Sequence, residues 1–518
     1  MFFNRLFILL LLVGFNSSAQ QNCPILPEPL KTDRSEGSFM LSSSTQLIGD
    51  KSAKANITLF EQEIKKRTGI LINSVSPSGN KIYLINEASM PKNGAYQINM
   101  VANRIQIKAG NQEGILNGLI SLLQLATFSG KNKNSIVIPC WTISDAPLFE
   151  WRGLMLDEAR HFFGITKVKQ ILDWMLFYKL NRFHWHLTDV QGWRITIDSY
   201  PNLSKIGGVG DLTNPFGPAK YYTKQQIAEV VAYAKERNIT VIPEIDMPGH
   251  ATAANKAYPA FNGGGSKEHP NFTFNPGLEE TYSYLTKIIA ETVDLFPSKM
   301  IHLGGDEVSF GAKAWETNPD VKQLMAKHNL DNILMVENYF FKRMADSVKK
   351  LNAKVLAWDE AAEANLDPKN TILFWWRHDK PLQLEKALNK SYSVVLCPRL
   401  PLYFDFVQDS THVLGRKWGS KFNPILAVYQ FPGKNELYSN TLIKGIQANV
   451  WSETIYDEKR LDFMLFPRIA ALSSASWTPV EKKNDAVFLA TLKLHLNLYQ
   501  KEKLNYFDPF NPSLTKEN

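Results

Sequence analysis

Two acidic residues stand side by side, Asp306 and Glu307, where the apolar run Ile301-His302-Leu303 gives way to Gly304-Gly305. Neighbouring residues of a regular strand point to opposite faces. The two carboxyls can enter one cavity only if the strand ends there, and glycines permit the bend and a close backbone approach. Such a pair suits acid–base work in which one carboxyl is held neutral as a proton donor and the other stays charged. A lone Asp-Glu pair is more often a solvated turn. The weight of the pair rests on whether other strand ends carry groups of the same kind.

They do. After Pro147, eight short apolar segments read as strands: 153–156, 182–187, 240–245, 300–303, 354–358, 371–375, 392–396 and 444–448. Amphipathic segments between them, at 168–180, 224–237, 281–296 and 321–350, read as helices. This alternation predicts a parallel sheet. Eight strands over roughly 350 residues fit a (β/α)8, or TIM, barrel with insertions. An open doubly wound sheet would need a glycine-rich phosphate turn after a strand, and the sequence offers none. Barrel enzymes carry their chemistry at the C-terminal strand ends. Those ends hold Asp157, Asp189, Asp246 with His250, Asp306 with Glu307, Trp358, Trp376, Tyr403 with Asp405, and Trp451 with Glu453. Arg152, just before the first strand, is expected to reach the same mouth. Of Trp375 and Trp376 only one can face inward, and we take Trp376. Aromatic faces ringed by charged hydrogen-bonding groups suit a sugar, whose C–H faces stack while its hydroxyls need partners.

Ahead of the barrel, 20–145 reads as a small α+β domain in a supporting role. Its strands are expected at 39–41, 81–85, 95–100 and 104–108, and its helices at 59–67 and 113–125. The barrel is expected over 146–505, with a tail at 506–518. Residues 1–19 form an export signal: Arg5, an apolar stretch over 6–13, then Ser17-Ser18-Ala19. The apolar stretch is too short to span a bilayer, so export to the periplasm or medium is expected, without a transmembrane segment. The 518 residues are 44% hydrophobic and 21% charged, with a net charge of +8. Lys and Arg are scattered and form no basic face, which argues against nucleic-acid binding. Cys23, Cys140 and Cys397 are too few and too far apart for a disulfide framework or zinc site.

The motifs together resemble glycoside hydrolase family 20, the β-N-acetylhexosaminidases. His302-Leu303-Gly304-Gly305-Asp306-Glu307 is similar to the family's His-x-Gly-Gly-Asp-Glu signature. The likeness continues through Arg152-Gly153-Leu154-Met155-Leu156-Asp157 and Asn181-Arg182-Phe183-His184-Trp185-His186-Leu187-Thr188-Asp189. It runs on through Pro243-Glu244-Ile245-Asp246-Met247-Pro248-Gly249-His250, Ala357-Trp358, Tyr403-Phe404-Asp405 and Trp451-Ser452-Glu453. Val190 departs from it, because the family usually has a polar or acidic residue there. The resemblance implies exo-acting, retaining release of terminal β-linked N-acetylhexosamine from an oligosaccharide or glycoconjugate. The substrate's own acetamido oxygen serves as nucleophile, and no metal or other cofactor is needed. It assigns Glu307 as acid/base, Asp306 to the acetamido N–H, Tyr403 to its carbonyl, and Asp189 and His250 to tuning the proton on Glu307. Burial and negative neighbours are expected to raise the pKa of Glu307. Arg152, Asp405 and Glu453 would grip hydroxyls, and Trp358, Trp376 and Trp451 would wall the sugar. Trp418 is a further candidate for stacking on the leaving sugar.

Two other readings compete. His184 and His186 share a strand face, as in metal-dependent amidohydrolase barrels, but the middle strands then end in tryptophans rather than ligands. A glycan-binding module without catalysis would have no use for a proton donor beside Asp306. Oligomeric state, sugar epimer and linkage have no signature in the sequence.

Overall fold

A computed structural model describes residues 23–72, 79–515 and 517. The export signal expected at 1–19 lies outside the described residues. The N-terminal domain is a seven-stranded sheet. Lys31–Ser42 pairs with Ser135–Asp145, and then follow Tyr96–Val101, Arg104–Ala109, Lys81–Asn86 and Gln46–Ile48. Tyr96, Ile98 and Met100 are buried while Gln97, Asn99 and Val101 are exposed, so one face is dry and the other wet. Helix Gln112–Thr127 packs on the sheet and Lys54–Thr68 packs against that helix. The sequence reading has no strand at Ser135–Asp145, where Pro139 argues against one. Pro139 is accommodated because its neighbour bulges between Arg34 and Ser38, and because the pairing to Tyr96–Val101 covers only 142–145.

The second domain is a closed barrel of eight strands. We number them β1 (Trp151–Asp157), β2 (Arg182–His186), β3 (Thr240–Glu244), β4 (Met300–His302), β5 (Lys354–Trp358), β6 (Thr371–Trp375), β7 (Ser393–Leu396) and β8 (Ile443–Val450). All neighbours are parallel, and β8 closes on β1. The register places Asp157 beside His186, His186 beside Glu244, and Glu244 beside His302. A polar row therefore crosses four neighbouring strands, all four side chains fully buried. Trp151, Met155, Ile242, Leu356 and Phe374 fill the barrel around it.

Helices Ile165–Phe177, Lys224–Glu236 and Glu279–Leu295 stand where amphipathic segments are expected. The segment 321–350 is two helices, Pro319–His328 and Ile333–Lys350. Asn329 closes the first in the left-handed region (φ 53°), and the Asn332 side chain caps the second by accepting from Met335 N. Within the tail expected at 506–518, Phe507 is buried and its N–H donates to Phe466 O. The three cysteines are unpaired thiols. Among the described residues no helix is long and apolar enough to cross a membrane.

Candidate active site

β4 ends at His302, and the next residues turn sharply. Gly304 and Gly305 have φ of 67° and 93°, and a Cβ on Gly304 would lie 1.8 Å from Asp246 Oδ1. Glu307 is itself left-handed at φ 53°, as is His250 at φ 52°. Such backbone costs roughly 1–3 kcal/mol per residue and persists only where the surroundings impose it. Its effect is to bring two consecutive carboxyls to one imidazole: His250 Nε2 lies 3.5 Å from Asp306 Oδ2 and 3.6 Å from Glu307 Oε2.

Behind His250 runs a row of alternating charge. His250 Nδ1 donates to Asp189 Oδ1 at 3.0 Å, while Asp189 Oδ2 meets Arg160 Nη2 at 2.7 Å and His186 Nε2 at 3.0 Å. Val190, the departure noted in the sequence, also serves Asp189, its N–H donating to Oδ1 at 2.5 Å. Burial raises the Asp306 carboxyl to about 6; the His250 charge opposes this, and the charges of Glu307, Glu244 and Asp189 add to it. Glu307 behaves differently. Burial pushes its carboxyl up, but the hydrogen bond and charge of His250, with Arg160, hold it below the usual glutamate range. The expected rise at Glu307 is therefore reversed. Burial opposes a charge on His250, yet Asp189, Asp306 and Asp246 keep its imidazole charged well above the ordinary range. As these residues stand, the proton rests on His250.

These groups line a cavity of ≈ 390 Å³ whose walls include Trp358, Trp376, Tyr403, Trp451 and Glu453. Trp358 and Trp451 lie 5.9 Å apart, and Trp376 stacks on Tyr403 at 6.4 Å. Burial keeps the Tyr403 phenol protonated far above the ordinary range, so its O–H stays a donor. Trp358 Nε1 donates to Glu244 Oε1 and Trp376 Nε1 to Glu360 Oε2, both at 3.0 Å. Trp451 Nε1, Asp306 Oδ1 and Glu453 Oε2 have no partner within the protein, leaving polar groups on the cavity wall for a ligand. Trp375 points the other way, packing at 5.9 Å on Tyr438.

One expected sugar contact, Arg152, lies away from the cavity, and a second, Asp405, is covered. Arg152 lies at the N-terminal end of β1, and five residues at about 3.3 Å each carry the chain away from it to Asp157. Its guanidinium turns to the barrel floor, donating to Lys179 O (2.9 Å), Phe149 O (2.9 Å) and Glu113 Oε1 (3.0 Å) of the N-terminal domain. Asp405 is fully buried and absent from the cavity wall. Arg416 covers it, with Nε 3.5 Å from Asp405 Oδ2 and Nη2 2.6 Å from Glu453 Oε1. An arginine that does line the cavity is Arg160, in the loop after β1, anchored on Asp189 and lying 5.0 Å over the Trp451 ring. Its signal was present: it follows Asp157 by three residues, past the catalytic end of the strand. His269, Phe272, Phe310, Arg399 and Arg416 also line the mouth and come from long loops. Trp418 stacks 4.1 Å from the Arg399 guanidinium at the rim.

The profile of the glycosyl hydrolase family 20 catalytic domain matches residues 149–480, and that of domain 2 of the family matches 22–146. The chain belongs to glycosyl hydrolase family 20. A β-hexosaminidase of Vibrio furnissii is 32% identical over 87% of this chain and 76% of its own length. One from Porphyromonas gingivalis is 30% identical over 94% of this chain, which spans 64% of that relative's length. The crystal structure of a family 20 exo-β-N-acetylglucosaminidase from Vibrio harveyi, in complex with N-acetylglucosamine, superposes with a TM-score of 0.86. It is 30% identical, covering 94% of this chain and 78% of its own.

The family 20 barrel also contains groups that a metal-dependent reading would invoke. His184, Glu244 and His302 offer ligand atoms within 4.8 Å of one another. Each oxygen of Glu244 is already engaged by an N–H, Oε1 by Trp358 and Oε2 by His186. The other described clusters draw on His186, Asp189, Asp246, His250 and Asp306, of which Asp189 is hydrogen-bonded by both His186 and His250.

Proposed function

We propose that this family 20 glycoside hydrolase is an exo-acting, retaining β-N-acetylhexosaminidase that cleaves terminal β-linked N-acetylhexosamine by substrate-assisted catalysis. The observation that carries this reading is the convergence of Asp306 and Glu307 on one imidazole, inside a slot walled by Trp358, Trp376, Tyr403 and Trp451. In most retaining glycosidases a second carboxyl about 5 Å from the acid is the nucleophile. Here both acids stand on the same side of the site, against His250, which suits a reaction whose nucleophile belongs to the substrate.

In this mechanism Asp306 accepts the acetamido N–H and stabilises the positive charge that develops on the nitrogen as the carbonyl oxygen closes on the anomeric carbon. Tyr403 donates to that carbonyl oxygen and aligns it. A bound sugar strips water from Glu307 and raises its proton affinity. His250 Nε2, at 3.6 Å, is the adjacent donor. Glu307 then protonates the glycosidic oxygen and, in the second step, activates the water that opens the oxazolinium ring. Glu453 and Arg160 serve the sugar hydroxyls, and Asp405 does so once Arg416 swings aside.

Activity on a chromogenic β-N-acetylglucosaminide tests this. The parent turns it over, and Glu307→Gln loses roughly a hundredfold or more. Full activity in that variant would remove the assigned acid. The pattern at residues 1–19 supports export of the enzyme, so glycans or chitooligosaccharides outside the cytoplasm are the proposed substrates. N-terminal sequencing of protein recovered from the periplasm or medium tests that part.

A further inference from the structure

The row of charge does not stop at Asp189. His186 presents one ring nitrogen to Asp189 Oδ2 at 3.0 Å and the other to Glu244 Oε2 at 2.6 Å. Both nitrogens face carboxylate oxygens, so both carry hydrogen and the ring is a cation held between two anions. Glu244 is wholly buried beneath the pocket. Its other oxygen accepts from Trp358 Nε1 at 3.0 Å, so the carboxylate is locked between the floor and one wall of the slot. Three histidines face Glu244: burial opposes its charge, but His302, His186 and His184 together hold its carboxyl well below the usual glutamate range. On β2, His184 Nε2 lies 3.0 Å away, but its Nδ1 takes a hydrogen from Gln447 of β8, and burial keeps that ring neutral. On β4, His302 Nδ1 lies 2.9 Å away and accepts from Gly304 N. Cys397, after β7, is a buried thiol whose burial keeps it protonated. Asp157 at the end of β1 faces His186, and Asp246 and Asp306 face Glu244 from the β3 and β4 loops.

We propose that Glu244 is a positioning residue for acid catalysis, fixing His186 in the doubly protonated form that orients Asp189 and, through Asp189 and His250, aims the proton at Glu307. This rests on the reading of Glu307 as general acid. Without the Glu244 charge, His186 loses one of its two anions and gives up a proton. Asp189 then keeps Arg160, His250 and the Val190 N–H but feels a weaker pull from His186 on its Oδ2, so the carboxylate and the His250 ring bonded to it are held less firmly.

The test uses leaving groups of different basicity. A dinitrophenyl aglycone departs without protonation, whereas an alkyl or sugar aglycone needs the proton from Glu307. For Glu244→Gln the expected result is a fall in kcat/KM of about tenfold or more on chitobiose and less than about threefold on the dinitrophenyl β-N-acetylglucosaminide, part of the roughly 10²–10⁴ due to acid catalysis. Glu307→Gln should show the same selectivity, more strongly. Equal losses on both substrates in Glu244→Gln, with Glu307→Gln still selective, overturn the proposal and leave the acid assignment standing. Equal losses in Glu307→Gln overturn both. If Glu244→Gln fails to fold, His186→Asn severs the same link one step later. Selective loss there supports the proposal, and equal loss on the two substrates overturns it.

Discussion

Asp306 is the group whose ionisation an assay can follow. Burial raises its carboxyl from the ordinary 3.8 to about 6, and the proposed role needs the anion, because only a carboxylate stabilises the charge on the acetamido nitrogen. A raised carboxyl loses this function as pH falls through its folded value. Since kcat/KM reports the free enzyme, it should fall about tenfold per pH unit below about 6. At pH 5 roughly one Asp306 in eleven is ionised, so kcat/KM is about a tenth of its plateau; an unperturbed aspartate would leave it within about a tenth of full value. Asp306→Asn should lower the plateau roughly a hundredfold to a thousandfold, the typical cost of one preorganised stabilising group. Its residual activity should show no limb between about pH 5 and 7. Initial rates on an aryl β-N-acetylglucosaminide at subsaturating concentration, read after an alkaline quench, give both profiles. A wild-type limb near pH 4 would refute the burial argument. A limb near 6 surviving in Asp306→Asn would assign it to another group of the row, His250 first.

Arg160→Ala should lower kcat/KM about tenfold to a hundredfold, the value of a charge-assisted hydrogen bond of about 1.5–3 kcal/mol; an unchanged rate would detach Arg160 from the site. Arg152→Met should leave KM unchanged while lowering stability by roughly 3 kcal/mol in urea unfolding, at the low end for a broken buried pair because Glu113 reaches solvent; a raised KM would return Arg152 to the sugar. Trp376→Ala should raise KM about tenfold through lost stacking of about 0.5–1.5 kcal/mol and lost buried area. Trp375→Ala should lower Tm and leave KM alone. Gly304→Ala drives a methyl onto Asp246 and should abolish turnover in protein that still melts cooperatively, as followed by circular dichroism.

The eight barrel strands were legible because each is a short apolar segment between helices of opposite texture. The break at Asn329–Asn332 was not, although both caps are written there, because the apolar period carries on across it. Asp306, Glu307 and the three tryptophans sit at or just past strand ends, where barrel geometry directs them to the mouth, while Tyr403 follows β7 after a helical turn, Arg399–Leu402. Arg152 and Arg160 show the limit of proximity along the chain. A strand has a direction, and eight residues apart on β1 and its loop means the floor or the mouth. His269, Phe310 and Arg416 come from loops whose path no periodicity sets. The lowered carboxyl of Glu307 also lay beyond the sequence, since the cations that cause it, His250 and Arg160, are brought there by β3 and β1.

The underside of the barrel holds two sealed cations. Arg152 is met by Glu113, and Lys179 donates to Tyr96 and Ser121 (2.9 and 2.8 Å) with Asp145 at 3.6 Å. Every one of those partners comes from the chain ahead of the barrel. The leading domain is in this sense a folded counter-ion. Trimming the enzyme to its pocket-bearing half would open this seam to water and uncover the apolar surface packed around both charges. A smaller version of this catalyst has to give the underside of the barrel a polar surface before it can discard the domain that covers it.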